Sequence, residues 1–200
     1  HFHGSLSRAW ALPLVLGLCA CQTTPKPLAC NLQRSVYLMG TSVEIQLGAD
    51  QRPAALLASE RIVRTLESTE ARLSTWRLDS ELSRFQRGEV EASTTLRAEL
   101  DAALAWGAAT DGAFEARCAA LVRAWDLRGE GRIPTLQEQR TAALDHSQWE
   151  EGGFGKGAGL AAAARELAAC PEVQRAQINL GGQWLLHGPG QFEIKVADPD

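Results

Sequence analysis

Two incompatible periodicities lie side by side near the start of the chain, and together they restrict its fold class. Val43-Glu44-Ile45-Gln46-Leu47 alternates apolar and polar side chains, the pattern of a strand with one buried face, and Tyr37, Met39 and Thr41 lie just before it. Pro53 then suits the opening of a helix, and Ala55, Ala58, Ile62, Leu66 and Leu73 recur at steps of three, four or their sums, which gathers them on one helical face. A second helix is predicted from the cap candidates Ser93-Thr94-Thr95 to near Gly112, with Leu96, Leu100, Ala103 and Leu104 on one side. A third begins with Thr135-Leu136-Gln137-Glu138, the pattern of a capping box.

The last third changes character. A glycine-rich loop from Gly152 to Gly159 feeds an alanine-rich helix predicted to end near Cys170-Pro171. Strands follow at Gln177-Ile178-Asn179-Leu180 and Trp184-Leu185-Leu186, with Gly181-Gly182 as the turn between them. Gly188-Pro189-Gly190 then leads to the alternating Phe192-Glu193-Ile194-Lys195-Val196, which predicts a further hairpin. Strands and helices mix without a regular strand-helix repeat, so the expected class is α+β, with a mixed or antiparallel sheet packed by helices.

Composition excludes one large class of partners. With 45% apolar and 22% charged residues the chain is an ordinary globular sequence, and a formal charge of −4 leaves no excess of positive charge to neutralise phosphates. No Lys/Arg run interleaves with aromatics, so nucleic acid is not an expected partner.

The first residues read as an address. Arg8 precedes an apolar stretch from Ala9 to Leu18 that is too short for a stable membrane span. It ends in Leu18-Cys19-Ala20-Cys21, which resembles a bacterial lipobox, so residues 1–20 are expected to be a signal peptide and Cys21 the lipidated residue. Residues 21–34, with Gln22-Thr23-Thr24-Pro25-Lys26-Pro27, are expected to be a tether to the membrane, and residues 35–200 the domain. The alternative is an ordinary secretory signal followed by a structural cysteine. Either reading places the domain outside the cytoplasm; the lipobox makes it a lipid-anchored protein on the periplasmic or extracytoplasmic face of the cell envelope. Cys30, Cys118 and Cys170 then remain, and their spacing fixes neither a pairing nor a zinc site.

Four further segments carry chemistry. They are Met39-Gly40-Thr41, the stretch from Leu73 to Phe85 that contains Ser74-Thr75-Trp76, the stretch Asp111-Gly112-Ala113-Phe114-Glu115 with Trp125 beyond it, and Glu150-Glu151-Gly152-Gly153-Phe154-Gly155-Lys156-Gly157. The indole of Trp76 offers a flat face to a planar ring system, and glycines before a helix start with Lys156 beside it favour a diphosphate. No apolar strand precedes these glycines, because His146-Ser147-Gln148-Trp149 is too polar, and this argues against a Rossmann fingerprint.

In this order the segments resemble the FAD:protein FMN transferases of the ApbE type, and Asn179-Leu180-Gly181-Gly182 matches the Asn-x-Gly-Gly turn of that family. The resemblance implies a T-fold-like domain and transfer of the FMN half of FAD to a Thr or Ser hydroxyl of an acceptor protein. The reaction would depend on Mg2+ and release AMP. It also implies FAD contacts at Met39, Trp76, Ala113, Phe114, Glu115, Glu150 and Lys156, and a backbone contact to magnesium at Gly153; no catalytic residue is assigned. The remaining magnesium ligands, an Asp and a Thr of the family's distal segment, are expected beyond Asp200.

The sequence departs from the family at Gln86, Glu115, Ala161 and Gln183, where relatives carry Asn or Asp. It begins at His1 and ends at Asp200, before that distal Asp and Thr, so the expectation is a C-terminally truncated chain that binds flavin weakly and transfers nothing by itself. Two alternatives are a noncatalytic FAD-binding lipoprotein and a structural surface lipoprotein.

Overall fold

The computed structural model describes residues 30–194. Cys21, the signal segment and residues 195–200, with Asp200 at their end, lie outside the described residues. Four antiparallel strands form one sheet in the order β1 (Cys30–Leu38), β2 (Thr41–Ala49), β3 (Val173–Leu180) and β4 (Gln183–His187). Between β2 and β3 the chain forms helices α1 (Arg52–Leu73), α2 (Glu81–Gln86), α3 (Thr94–Ala109), α4 (Ala119–Ala124) and α5 (Leu136–Ala143). A 3-10 turn, Glu151–Gly153, and α6 (Gly155–Ala168) complete the insertion. The α+β class and the antiparallel sheet agree with the sequence patterns.

Strand β2 behaves as its alternation requires: Val43, Ile45 and Leu47 are buried, and Glu44 and Gln46 are exposed. Its inner face meets Ile178 and Leu180 from β3 and is covered by α1, while α6 packs on β3 and β4. All five positions predicted for the apolar face of α1 are buried. Each large aliphatic side chain so buried contributes about 1.5–3 kcal/mol. A smaller cluster of Leu73, Leu82, Ala92, Leu96 and Leu100 joins α1, α2 and α3, and Phe154 and Ala158 attach it to the start of α6.

Several expectations need correction. The sheet begins at Cys30, inside the segment read as tether, and Arg34 is what hides β1 in the sequence. It stands on the inward-alternating side of the strand, where it ion-pairs with Glu60 at 2.8 Å and breaks the apolar pattern. Leu104 is 41% exposed, so the apolar face of α3 ends at Ala103. The glycine-rich segment is mostly helix, since Gly155, Gly157 and Gly159 all lie within α6. Residues 191–194 form no strand. Arg175 gathers them instead, with its guanidinium 3.9 Å from the Phe192 ring centroid and a donated bond of 3.0 Å to the Pro189 carbonyl.

The capping box of α5 is present: Thr135 accepts from the Glu138 N–H, and Glu138 accepts from the Thr135 N–H at 2.7 Å. No helix among the described residues is long and apolar enough to cross a membrane.

Candidate flavin site

The site begins where α1 stops. The chain leaves the helix at Ser74 with extended backbone, and Ser80 restarts it by capping α2, accepting from the Ser83 N–H at 3.1 Å. Buried Ser83 donates to the Ser74 carbonyl at 3.3 Å, which pins the base of the loop. Between these anchors Trp76 stands 65% exposed.

Two other segments reach the same place. Met39 and Gly40 form the two-residue turn between β1 and β2 with φ of 52° and 71°, the geometry such hairpins favour. Met39 is an uncommon residue for that conformation, and its N–H donates to the Glu70 carboxylate at 3.0 Å. Its side chain lies along α6: a Cβ on Gly159 would sit 3.2 Å from the Met39 sulfur and 3.1 Å from Leu66. That glycine therefore serves the close approach of α1, α6 and the turn, not a phosphate.

Lys156 leaves the first turn of α6 and runs towards the β3–β4 turn, where a Cβ on Gly181 would be 3.2 Å from its Cε. Met39, Gly40, Glu70, Trp76, Glu151 and Lys156 are among the residues that line one cavity of about 510 Å³. Its walls combine an exposed indole, a thioether and a half-buried ammonium close to a helix N-terminus. Such a set suits a flat ring joined to an anion.

The remaining expected contacts are placed elsewhere. Phe114 lines a second, more apolar cavity of about 980 Å³ between α3 and α6, together with Trp106, Phe154, Ala158 and Ala161. Gly153 lines this second cavity, and a Cβ there would lie 2.9 Å from the Phe114 ring. Ala113 is exposed and lines neither cavity. Glu115 also lines neither. Its carboxylate accepts from the Arg117 N–H at 2.7 Å and lies 3.3 Å from His146 Nδ1. Burial acts to raise that carboxyl, but the Arg117 N–H and guanidinium outweigh it and hold it below its ordinary value.

Glu150 is buried behind the site. Its N–H donates to the Ala116 carbonyl at 2.8 Å, and its carboxylate accepts from Thr75 Oγ1 at 3.1 Å and from Arg128 at 2.6 Å. Neighbouring Glu151 also accepts from Thr75 Oγ1. Burial, with the Glu150 charge beside it, pushes the Glu151 carboxyl above its ordinary value. Burial, again aided by Glu150, raises the Cys118 thiol as well.

Sequence reasoning missed Arg128 and Thr75 as members of this cluster. Thr75 lies within the quoted Leu73–Phe85 stretch, and Arg128 follows directly after Trp125-Asp126-Leu127. Among the described residues no three His, Cys, Asp or Glu side chains are grouped to hold a metal ion. The Gly153 backbone by itself does not fit a magnesium site, which needs several oxygen ligands. The other ligands are expected beyond Asp200, whereas the described residues end at 194, so that part of the expected ion site lies outside them.

Comparison with known proteins gives the family and the fold. The model of the ApbE family matches residues 39–200. A single-residue variant of Flavin Transferase ApbE from Vibrio cholerae superposes with a TM-score of 0.69 at 25% identity, covering 82% of this chain and 61% of that one. The ApbE protein from Thermotoga maritima gives 0.71 at 20% identity, with coverage of 80% and 60%. The apo flavinyl transferase ApbE from Pseudomonas stutzeri gives 0.68 at 19%, with coverage of 80% and 58%. At those identities the last two establish the fold alone. The chain thus spans about three fifths of the length of these solved relatives. Sequence comparison with curated proteins gives no significant match.

Proposed function

The chain belongs to the ApbE family, and on that premise we propose that the protein transfers the FMN moiety of FAD to a Thr or Ser hydroxyl of an acceptor protein. The observation that carries this reading is the convergence of Met39, Trp76 and Lys156, from three distant parts of the sequence, on one cavity. In the reaction the hydroxyl oxygen attacks the phosphorus of the FMN half. The bond from that phosphorus to the bridging oxygen breaks, AMP leaves with that oxygen, and the hydroxyl proton passes to solvent or a base.

Within that scheme Trp76 stacks on the isoalloxazine, Met39 packs at its edge, and Lys156 with the first turn of α6 offsets the charge of the diphosphate. Dependence on Mg2+ belongs to the proposal through the family. A divalent ion would offset phosphoryl charge there. A lipid anchor at Cys21 and a place on the outer face of a cell membrane complete the proposal.

A second reading is a flavin-binding protein without transfer. It is favoured by the Glu115 carboxylate, which Arg117 and His146 hold away from both cavities. One experiment separates the two. The intact protein is incubated with FAD, Mg2+ and a Thr-containing acceptor, with and without chelator, and the acceptor is followed by in-gel flavin fluorescence and by mass. Covalent FMN on the acceptor with release of AMP supports transfer. Bound FAD without labelled acceptor supports the second reading, and no flavin binding removes both.

A further inference from the structure

Arg128 makes the most connected contact set around Trp76, and no role in the reading above accounts for it. Its guanidinium carbon lies 4.6 Å from the centroid of the Trp76 ring. Its Nη1 donates to the Thr75 carbonyl at 2.8 Å, and its Nη2 donates to Glu150 at 2.6 Å and also to Thr75 Oγ1. One side chain thus holds the ring, the backbone beside the ring and the buried carboxylate behind it.

The loop that carries Arg128 is built tightly. Asp126 has φ of 50°, and its carbonyl accepts from the N–H groups of Gly129 and Gly131 at 3.0 and 3.1 Å. Arg132 N–H closes the loop onto the Trp125 carbonyl at 2.9 Å. A Cβ on Gly129 would meet the Asp126 carboxylate at 2.6 Å, so the Asp126 side chain packs closely over the loop backbone. Arg128 therefore projects from a fixed base rather than from a slack surface segment.

Trp76 lines the cavity of about 510 Å³, whereas Arg128 does not; it lines a separate one of about 220 Å³ with Thr75 and Glu150. The cation thus stacks on the indole without lining the cavity that Trp76 lines. An exposed indole on a loop otherwise has free rotamers, and fixing it before a ligand arrives removes an ordering cost from binding.

Resting on the flavin reading above, we propose that Arg128 is a positioning residue that braces Trp76 and presents the indole to the isoalloxazine. Lysine supplies a charge for the ring but not the planar fork that reaches Thr75 and Glu150 together, so Arg128→Lys restores only part of the function.

The test uses the intact protein and FAD, and reads both affinity and residual emission of the bound flavin, which indole stacking quenches. Arg128→Ala is expected to weaken FAD binding by roughly threefold to tenfold, the range for losing one pre-ordered side chain, and to brighten the bound flavin. In a Trp76→Ala background the same change is expected to add nothing, because the bracing acts through the ring.

If Arg128→Ala unfolds the protein by stranding Glu150, the pair Arg128→Gln with Glu150→Gln removes both charges and is expected to retain the loss of quenching. Unchanged affinity and emission in a folded Arg128 variant would overturn the inference while leaving the flavin reading intact. An equal loss with and without Trp76 would overturn it too, since the effect would then run through Glu150. A Trp76→Ala protein that binds and quenches FAD like the parent would overturn the flavin reading and this inference together.

Discussion

Gly181 and Gly182 form the two-residue turn between β3 and β4, and their different surroundings allow backbone conformation to be separated from contact. Both have positive φ, 57° and 87°. A Cβ on Gly181 would stand 2.8 Å from Thr41 Oγ1, 2.9 Å from Thr41 Cγ2 and 3.2 Å from Lys156 Cε, whereas one on Gly182 would meet nothing within 4 Å. Alanine at either place bears the left-handed penalty of about 1–2 kcal/mol. At Gly181 crowding adds about 1–3 kcal/mol more.

Gly181→Ala is thus expected to destabilise by roughly 2–5 kcal/mol and Gly182→Ala by roughly 1–2. Urea unfolding with an unchanged slope measures both. Thr41→Ala removes two of the three crowding atoms, so the Gly181→Ala, Thr41→Ala double variant is expected to recover most of the difference. In FAD titrations Gly181→Ala is expected to weaken binding more than Gly182→Ala, because only the first displaces Lys156. Equal losses of stability in the two single variants, or no recovery with Thr41→Ala, would refute the crowding of Gly181 by Thr41 and the end of Lys156.

Three other outcomes follow from the contacts described. Arg72 and Glu99, with side chains 14% and 13% exposed, form a two-pronged ion pair at 2.6 and 2.5 Å between α1 and α3; Glu99→Ala strands the cation and is expected to lower the unfolding free energy by about 3 kcal/mol. Glu151 holds its proton more tightly folded than unfolded, so its burial destabilises at neutral pH. This penalty is relieved as pH falls through the raised folded value towards the ordinary 4.5. Glu151→Gln is expected to raise the melting temperature at pH 7 and to flatten its pH dependence over that window, as thermal melts at a series of pH values would show. Thr135→Ala removes the α5 cap at an expected cost of about 1 kcal/mol. Helix α5 buries no residue, so the loss should appear as faster amide exchange at Glu138 and not as global unfolding.

What the sequence made legible follows from how local each signal was. The face of α1 could be read because five apolar positions keep one period: Ala55, Ala58, Ile62 and Leu66 pack in the sheet core, and Leu73 in the cluster with α2 and α3. Strand β1 could not, because Arg34 occupies an inward position whose acceptability depends on Glu60, twenty-six residues away. The glycines of α6 show the same limit more sharply. Gly155 and Gly159 look like a phosphate loop in sequence, but their need for glycine comes from Glu151, Met39 and Leu66. Arg128 was illegible for a related reason: no spacing rule links it to Thr75, fifty-three residues earlier.

The separation of Phe114 from Trp76 and Lys156 turns one expected pocket into two hypotheses that a pair of variants can distinguish. If flavin occupies only the cavity of about 510 Å³, Trp76→Ala loses stacking worth roughly 0.5–1.5 kcal/mol beyond the buried area, and FAD affinity falls at least severalfold. Phe114→Ala then acts only through its contact with Gly153, lowering stability while leaving affinity within about twofold in the folded protein. Suppose instead that the dinucleotide also enters the cavity of about 980 Å³ that Gly153 and Phe114 line. Both variants then lose affinity, and a Gly153→Ala protein, with its new methyl forced against the Phe114 ring, loses it as well. A folded Phe114→Ala protein with FAD affinity reduced as far as in Trp76→Ala would refute the single-cavity placement, because Phe114 lines no part of the cavity that holds Trp76.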